Sequence, residues 1–134
     1  GKMFVESFVD RYRRYPSTSG ASAYTIVHEY KSAVERAGSF DTAEVIRALE
    51  DHPYSLLKGL QLWRALDHQS IQTVFMVRGN APAKVLSGPL RQDYFSVLSS
   101  LPGDQCARTE AEWRHLRIEA GLPPKLEALP GEHQ

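Results

Sequence analysis

The chain has 134 residues, of which 42% are hydrophobic and 24% are charged. These proportions are those of a globular domain with a modest core, and they argue against a disordered chain. Acidic and basic side chains balance at 16 each, so no basic excess points to a nucleic-acid partner. Residues 1–15 carry charges throughout and lack the apolar core of a signal peptide, and no apolar run reaches membrane-spanning length.

The first forty residues predict two helices. The first covers residues 3–15 and ends at Pro16, and the second covers residues 22–37 and ends at Gly38, which suits the position just after a helix. Aromatic side chains recur on one face of the first helix, at Phe4, Phe8, Tyr12 and Tyr15. Both segments therefore have an apolar side that needs a partner.

A third helix is predicted over residues 42–52. Asp41 is its expected N-cap, and Glu44 follows at the spacing of a capping box. Pro53 ends it. The chain thus begins with three amphipathic helices.

After Pro53 the side-chain pattern changes from the helical spacing of three and four residues to a spacing of two. Strands are predicted over residues 60–64 and 71–78, where successive residues alternate between two faces and β-branched and aromatic residues are frequent. Asp67, His68 and Gln69 lie between them. A turn that ties down local backbone is the favoured interpretation of these three residues, over a contact near a cleft or hinge.

The remaining residues predict shorter elements. A short strand is expected over residues 84–87, a helix over 91–101 and another over 110–120, where Thr109 and Glu112 have capping-box spacing. The last ten residues are expected to fray. The order of helices, strands and helices predicts an α/β fold with a small sheet.

No pattern in the sequence predicts catalysis, a cofactor or a metal site. His28 and Glu29 resemble the start of a zinc-protease motif, but position 32 is Ser in place of the second histidine. Cys106 is the only cysteine, which excludes an internal disulfide and a two-cysteine redox motif. We therefore expect a protein that is not an enzyme.

Several short segments occur in an order that resembles a known family. They are Phe4 to Tyr12, Ala21-Ser22-Ala23-Tyr24, Ala33 to Gly38, Val45 to Leu49, and Asp67-His68-Gln69. Their succession resembles the C-terminal part of the type I periplasmic solute-binding proteins of ABC transporters, the branched-chain amino acid and amide-binding receptors. The sequence departs from the family at Tyr54 to Gly59, where members often have a Gly-Pro-like turn. The resemblance covers roughly residues 2–78, and residues 79–134 are interpreted as a C-terminal extension.

The resemblance implies a C-terminal fragment of a two-lobe α/β fold, with its helices packed on a small incomplete sheet. Three helices with so few strands also fit poorly as a closed unit, which supports a fragment. The implied function is solute binding in a periplasmic or extracellular, membrane-associated receptor. The implied partners are a small polar solute such as an amino acid or amide and the transporter permease. An exposed apolar face and self-association of the isolated fragment are expected with them.

The resemblance also implies where the solute would bind. The loop that opens the second helix would approach the cleft, which makes Ser19, Ala21, Ser22 and Tyr24 the candidate ligand-binding residues. A helix start offers unpaired N–H groups to a carboxylate or amide oxygen. N-capping and packing explain the same residues equally well. Most ligand contacts are expected from residues that would precede Gly1, and residues 67–69 would lie near the last crossover as hinge or structural residues.

Two other functions remain open from the sequence. The chain could be a stand-alone helix-rich protein-interaction domain, acting through its aromatic helix faces. It could also be the ligand-sensing domain of a regulator that shares the same fold. A long upstream reading frame of alternating strands and helices would favour the receptor.

Overall fold

The structure is a computed structural model, and it describes residues 1–129. Its helices are α1 (Lys2–Tyr12), α2 (Thr18–Ala37), α3 (Thr42–Leu49), α4 (Pro82–Ser87), α5 (Gly103–Cys106) and α6 (Glu110–Glu119). Its strands are β1 (Tyr54–Ser55), β2 (Leu60–Trp63), β3 (Ser70–Ile71), β4 (Val74–Gly79) and β5 (Phe95–Leu101). The predicted mixed α/β fold with small sheets is confirmed.

The strands form two separate antiparallel sheets. The first has the order β1-β2-β3, and the second is a two-stranded ribbon of β4 and β5. The ribbon register runs from Val74 opposite Leu101 to Gly79 opposite Phe95, with a bulge after Met76. The predicted single strand over residues 71–78 is therefore wrong. The chain leaves the first sheet after Ile71 and enters the second at Val74.

Two predicted elements after residue 80 are also wrong. Residues 84–87 belong to helix α4, which begins with a proline in its first turn, where the missing N–H costs no hydrogen bond. Residues 95–101, predicted as part of a helix over 91–101, form β5 because β4 offers an adjacent strand edge. In a segment this short, apolar residues about four positions apart lie on one side of either a helix or a strand. The predicted helix over residues 110–120 is present, with a capping box between Thr109 and Glu112.

The three N-terminal helices form with shifted ends. Helix α1 stops at Tyr12 because Arg13 adopts a left-handed conformation, φ 54°, so the predicted extension to residue 15 is wrong. Helix α2 begins at Thr18 instead of residue 22, since the Ser17 side chain caps the backbone N–H of Gly20. Its predicted end at Gly38 is confirmed.

Helix α3 begins as predicted but is shorter than predicted. Asp41 caps it by accepting hydrogen bonds from the N–H groups of Ala43 and Glu44. It ends at Leu49, because the next residues turn to meet β2: Glu50 bridges to Trp63. The predicted continuation to residue 52 is therefore wrong.

Few side chains are fully enclosed. The buried apolar residues of the described chain are Ala33, Ala43, Val45, Tyr54 and Trp113. Large apolar side chains remain exposed along α2 and on both strands of the ribbon, among them Ile26, Val27, Tyr30, Phe75, Met76, Phe95, Val97 and Leu98. The expected exposed apolar face is thus present.

Within residues 1–129, no helix combines the length and hydropathy needed to cross a membrane. Of the last ten residues, which were expected to fray, 125–129 contain no helix or strand. Residues 130–134 lie outside the described residues.

Candidate functional site

A cavity lies between the α1–α2 loop and the segment that leads into β5. We call it the cleft. Its volume is about 540 Å³, within the range of small-molecule sites. The loop and the β5 segment touch where the backbone N–H of Tyr15 donates to Oε1 of Gln92 at 3.0 Å. The cleft is lined by Phe8, Arg14, Tyr15, Pro16, Ser17, Thr18, Gln92, Tyr94 and Phe95.

The cleft combines aromatic walls with one cation and a helix start. Arg14 carries a positive charge, and α2 begins at Thr18 directly beside it. The first N–H groups of a helix have no partner within the helix, and Ser17 satisfies that of Gly20. The aromatic rings offer an apolar surface, and the arginine and helix start favour an oxygen-bearing group. The arrangement can therefore hold a small solute with an apolar body and an anionic or amide oxygen.

The four predicted ligand-binding residues all lie inside α2, because this helix begins earlier than the sequence suggested. Ser19 is exposed in the first turn, and Ala21 is half-buried in the next. Tyr24 packs against Phe4, with ring centroids 4.6 Å apart, and against His28 at 4.3 Å. Ser22 lines a second cavity. None of the four lines the cleft itself.

This second cavity, which we call the Gln61 cavity, lies between α2 and the three-stranded sheet. Its volume is about 180 Å³, and its walls are Ser22, Thr25, Ile26, Tyr54, Lys58, Gln61, Trp63, Ser70 and Gln72. Gln61 is buried and donates from Nε2 to Oε1 of Gln72 at 3.0 Å. Its own Oε1 has no hydrogen-bond partner in the described structure. A buried acceptor without a hydrogen-bond partner is uncommon, so this oxygen has an unused capacity to accept a hydrogen bond.

Tyr54 is the buried titratable group of the Gln61 cavity. Burial raises the pKa of the Tyr54 phenol, because the charged form is poorly solvated there. A hydrogen bond with Ser70 opposes this rise in pKa, and the negative charge of Glu29 adds to it. The Tyr54 side chain therefore lines the cavity in its neutral form.

Asp67, His68 and Gln69 form the turn between β2 and β3, and they line neither the cleft nor the Gln61 cavity. Asp67 accepts two hydrogen bonds from Arg64 and one from the backbone N–H of Gln69, at 3.2 Å. The hydrogen bonds from Arg64 hold the pKa of the Asp67 carboxyl below its usual range. His68 has a left-handed backbone, φ 56°, and its Nε2 lies 2.8 Å from Oε1 of Glu50. Asp67 therefore fastens local backbone, and the side chains of His68 and Gln69 contact the side chains of Glu50 and Arg64.

The sequence missed the residues that line the cleft. Local spacing predicts Arg14 and Tyr15 at the end of one helix and Tyr94 and Phe95 within another. Apolar and polar residues alternate from Phe95 only as far as Val97, so the segment carries only a weak strand signal. Nothing local indicated that the α1–α2 loop meets Gln92, which is 77 positions from Tyr15.

No group of three or more histidine, cysteine, aspartate or glutamate side chains is placed to hold a metal ion within residues 1–129. Cys106 is exposed on α5 as a free thiol. Glu29 forms an ion pair with Arg36 at 2.9 Å, and its Oε1 lies 3.1 Å from Nδ1 of His52.

A protein-family model described as "Periplasmic binding protein" matches residues 1–84. No curated protein shows significant similarity to the chain. Among solved structures, the chain is similar to a periplasmic binding protein from Burkholderia mallei, with 24% identity and a TM-score of 0.72. That match covers 83% of this chain and 28% of the other.

Two further solved structures are similar. An amino acid ABC transporter substrate-binding protein from Pseudomonas fluorescens has 27% identity and a TM-score of 0.65, covering 75% of this chain and 26% of its own. An ABC-type branched-chain amino acid transporter protein from Rhodopseudomonas palustris has 21% identity and a TM-score of 0.63, covering 78% and 27%. The first and third likenesses, below 25% identity, are likenesses of fold. The aligned part of the chain spans a little over a quarter of the length of each of these proteins.

Proposed function

Because the chain belongs to the periplasmic binding protein family, we propose that it is part of an extracytoplasmic receptor that binds a small polar solute and delivers it to an ABC transporter permease. The solute class we propose is an amino acid or amide. The Pseudomonas fluorescens relative is named as an amino acid transporter substrate-binding protein, which supports this class. The relatives are binding proteins, and we propose the same non-catalytic role here.

The observation that carries this proposal is the cleft. It offers a volume of about 540 Å³, aromatic walls, the guanidinium of Arg14 and the start of a 20-residue helix at one place. A solute carboxylate or amide oxygen would lie toward Arg14 and Thr18, and its apolar part toward Tyr94 and Phe95. Arginine can donate two parallel hydrogen bonds to a carboxylate, which gives orientation as well as attraction.

The residues predicted from the resemblance keep a part in this proposal. Ser19 and Ser22, with Ala21 and Tyr24, occupy the first turns of α2 behind the cleft, and Ser22 reaches the Gln61 cavity. We propose that these residues support the solute site from within α2, since none of them lines the cleft. Asp67, His68 and Gln69 are proposed to hold the backbone near the crossover between the two sheets.

The division at residues 78 and 79 into a solute-binding segment and a C-terminal extension also remains a proposal. Strand β4 crosses this boundary and pairs with β5, so both parts contribute to one ribbon. Export of the protein, docking to the permease and self-association of the isolated chain are proposals of the same kind. The exposed apolar residues of α2 and the ribbon are the observation behind self-association.

The proposal is tested on the natural gene product. Its intact mass is measured first, since a receptor of the family's usual length would be two to three times heavier than this chain. Binding of L-leucine, L-glutamine and acetamide is then measured by titration calorimetry. We expect at least one probe to bind, and Arg14→Met to weaken the binding of a carboxylate-bearing probe at least tenfold.

Arg13→Met is the matched control, because Arg13 is the exposed neighbouring arginine and does not line the cleft. It should leave affinity within about twofold of the wild type. A natural product of the same 134 residues that binds none of the probes would overturn the receptor proposal. Equal weakening by both arginine variants would remove the cleft as the site.

A further inference from the structure

The β4–β5 ribbon and the loop at its far end, residues 74–101, form an arm whose two backbone connections to the rest of the chain lie at one narrow place. At its base, Val74 pairs with Leu101. Gln72 and Thr73 lead into the arm from β3, and Pro102 and Gly103 lead out of it into α5. We call these four residues the neck. Both backbone connections of the arm therefore pass through the neck side by side.

The two sides of the neck touch through their backbones at Gly103. A Cβ atom on Gly103 would lie 2.5 Å from the backbone N of Gln72, 2.6 Å from its O and 2.8 Å from its carbonyl C. Real Cβ atoms essentially never approach backbone atoms so closely. Backbone atoms also cannot swing aside as the end of a long side chain can. Only glycine therefore fits at position 103 without a clash against the backbone of Gln72.

Two hydrogen bonds fasten the neck region to the three-stranded sheet. On the incoming side, Nε2 of Gln61 in β2 donates to Oε1 of Gln72 at 3.0 Å. Beyond α5, Nη1 of Arg64, just after β2, donates to the backbone O of Arg108 at 2.8 Å. Strand β2 therefore contacts the incoming connection, and the residue after it holds the chain five residues beyond Gly103.

The other end of the arm borders the cleft. Phe95 begins β5 and pairs with Gly79, the last residue of β4. A strand of six residues is roughly 20 Å long, so a rotation of about 10° at the neck moves the far end by roughly 3 Å. Such a movement would change the separation of Tyr94 and Phe95 from Ser17 and Thr18 across the cleft.

We infer that Gly103 is a positioning residue for the cleft: its backbone contact with Gln72 sets the angle of the arm and hence the width of the cleft. Arg64 supports this position from the outgoing side. The importance of cleft width rests on the proposed function. The position of the arm itself is a property of the chain that can be measured without any solute.

The test is a distance measurement by pulsed electron paramagnetic resonance on the full chain. Spin labels are attached through Lys31→Cys on α2 and Ala83→Cys on α4, at the far end of the arm, with Cys106→Ser removing the native thiol. Both labelled positions are exposed. Gly103→Ala is expected to shift the mean distance by a few ångströms or to broaden its distribution. Arg64→Met is expected to broaden it as well.

Each variant has a matched control. Gly79→Ala adds the same methyl group where no other atom lies within 4 Å. Arg114→Met removes an arginine on α6 that also forms an ion pair and a backbone hydrogen bond. Both controls should keep the wild-type distance distribution. Circular dichroism shows which variants are folded.

A folded Gly103→Ala chain with the wild-type distance distribution would overturn the inference. If Gly103→Ala does not fold, Arg64→Met decides, and a folded Arg64→Met chain with the wild-type distribution would overturn it too. Solute binding is measured separately with L-leucine. A wild type that binds no probe counts against the proposed function, while the label distances still decide whether Gly103 positions the arm.

Discussion

Arg64 contacts both carboxylate oxygens of Asp67, with Nε 2.9 Å from Oδ1 and Nη2 2.5 Å from Oδ2. The Asp67 side chain is only 7% exposed and that of Arg64 is 21% exposed. Because water screens this pair poorly, it contributes more than an exposed ion pair does. The pair holds the β2–β3 turn, from which Arg64 also contacts the backbone O of Arg108.

Asp67→Asn is expected to lower the free energy of unfolding by about 1–3 kcal/mol, because the amide cannot replace a charged acceptor for Arg64. The pKa of Asp67 is lowered in the folded chain, chiefly by Arg64. Its contribution to stability is therefore present above the ordinary carboxyl pKa near 4 and is lost as pH falls through the folded pKa. The free energy of unfolding is measured with urea at pH 7 and at pH 3. The difference between the two values should be smaller for the variant than for the wild type.

Asp10→Asn on the exposed face of α1 is the control for this experiment. It should change the free energy of unfolding by less than about 0.5 kcal/mol at either pH. An Asp67→Asn chain with the wild-type dependence on pH would contradict the prediction.

Tyr54→Phe is expected to reduce the loss of stability at alkaline pH. Burial raises the folded pKa of Tyr54 above its unfolded value near 10, so the neutral phenol stabilises the fold below that pH. This contribution is lost as pH rises through the folded pKa. The midpoint of urea unfolding, measured from pH 8 to pH 11, should fall less for Tyr54→Phe than for Tyr12→Phe, whose ring is exposed. Equal slopes for the two variants would argue against a raised pKa at Tyr54.

Glu29→Ala is expected to lower the free energy of unfolding by about 3 kcal/mol, because it leaves Arg36 without its carboxylate partner. Glu29 is 4% exposed, and its Oε1 lies 2.9 Å from Nη2 of Arg36 and 3.1 Å from Nδ1 of His52. Glu35→Ala removes the exposed ion pair with Lys31 and should cost about 0.5 kcal/mol or less. The free energy of unfolding of both variants is measured by chemical denaturation. Similar losses of stability in the two variants would show that the burial of Glu29 does not strengthen its ion pair.

Ser17→Ala is expected to destabilise the chain by about 1 kcal/mol, because Ser17 Oγ accepts a hydrogen bond from the N–H of Gly20 at 3.0 Å. Ser19→Ala lies within the first turn and should change stability by less than about 0.5 kcal/mol. Thermal unfolding gives the two values, and amide hydrogen exchange near Gly20 should accelerate only in Ser17→Ala. The reverse order would make Ser19 the N-cap and place the start of α2 at residue 20.

Local chemistry was the part of the fold that could be predicted from the sequence. Asp41 and Thr109 were recognised as helix starts because a cap bonds to backbone only two or three residues away. Gly38 was recognised as a helix end because its left-handed conformation, φ 64°, suits glycine. The start of α2 was missed because Ser17, Ser19 and Ser22 all offer the same capping chemistry.

The strands were harder because a strand depends on its partner. The segment over residues 71–78 is predicted as one strand, yet it is divided at Gln72 and Thr73 between two sheets. Residues 95–101 adopt β structure beside β4 although their apolar spacing also suits a helix. Whether such a segment forms a strand is decided by hydrogen bonds to residues distant in the sequence. The spacing of apolar residues within the segment does not predict those hydrogen bonds.

The sequence by itself determined the α/β class, the capped helices and a family resemblance, because each follows from residues close together in the chain. Only the tertiary structure brought Tyr15 to Gln92 across the cleft and placed the Gly103 backbone against Gln72. These contacts depend on the path of the whole chain between the two residues. Local propensity carries no record of that path, so the cleft and its neck could be found only in the folded molecule.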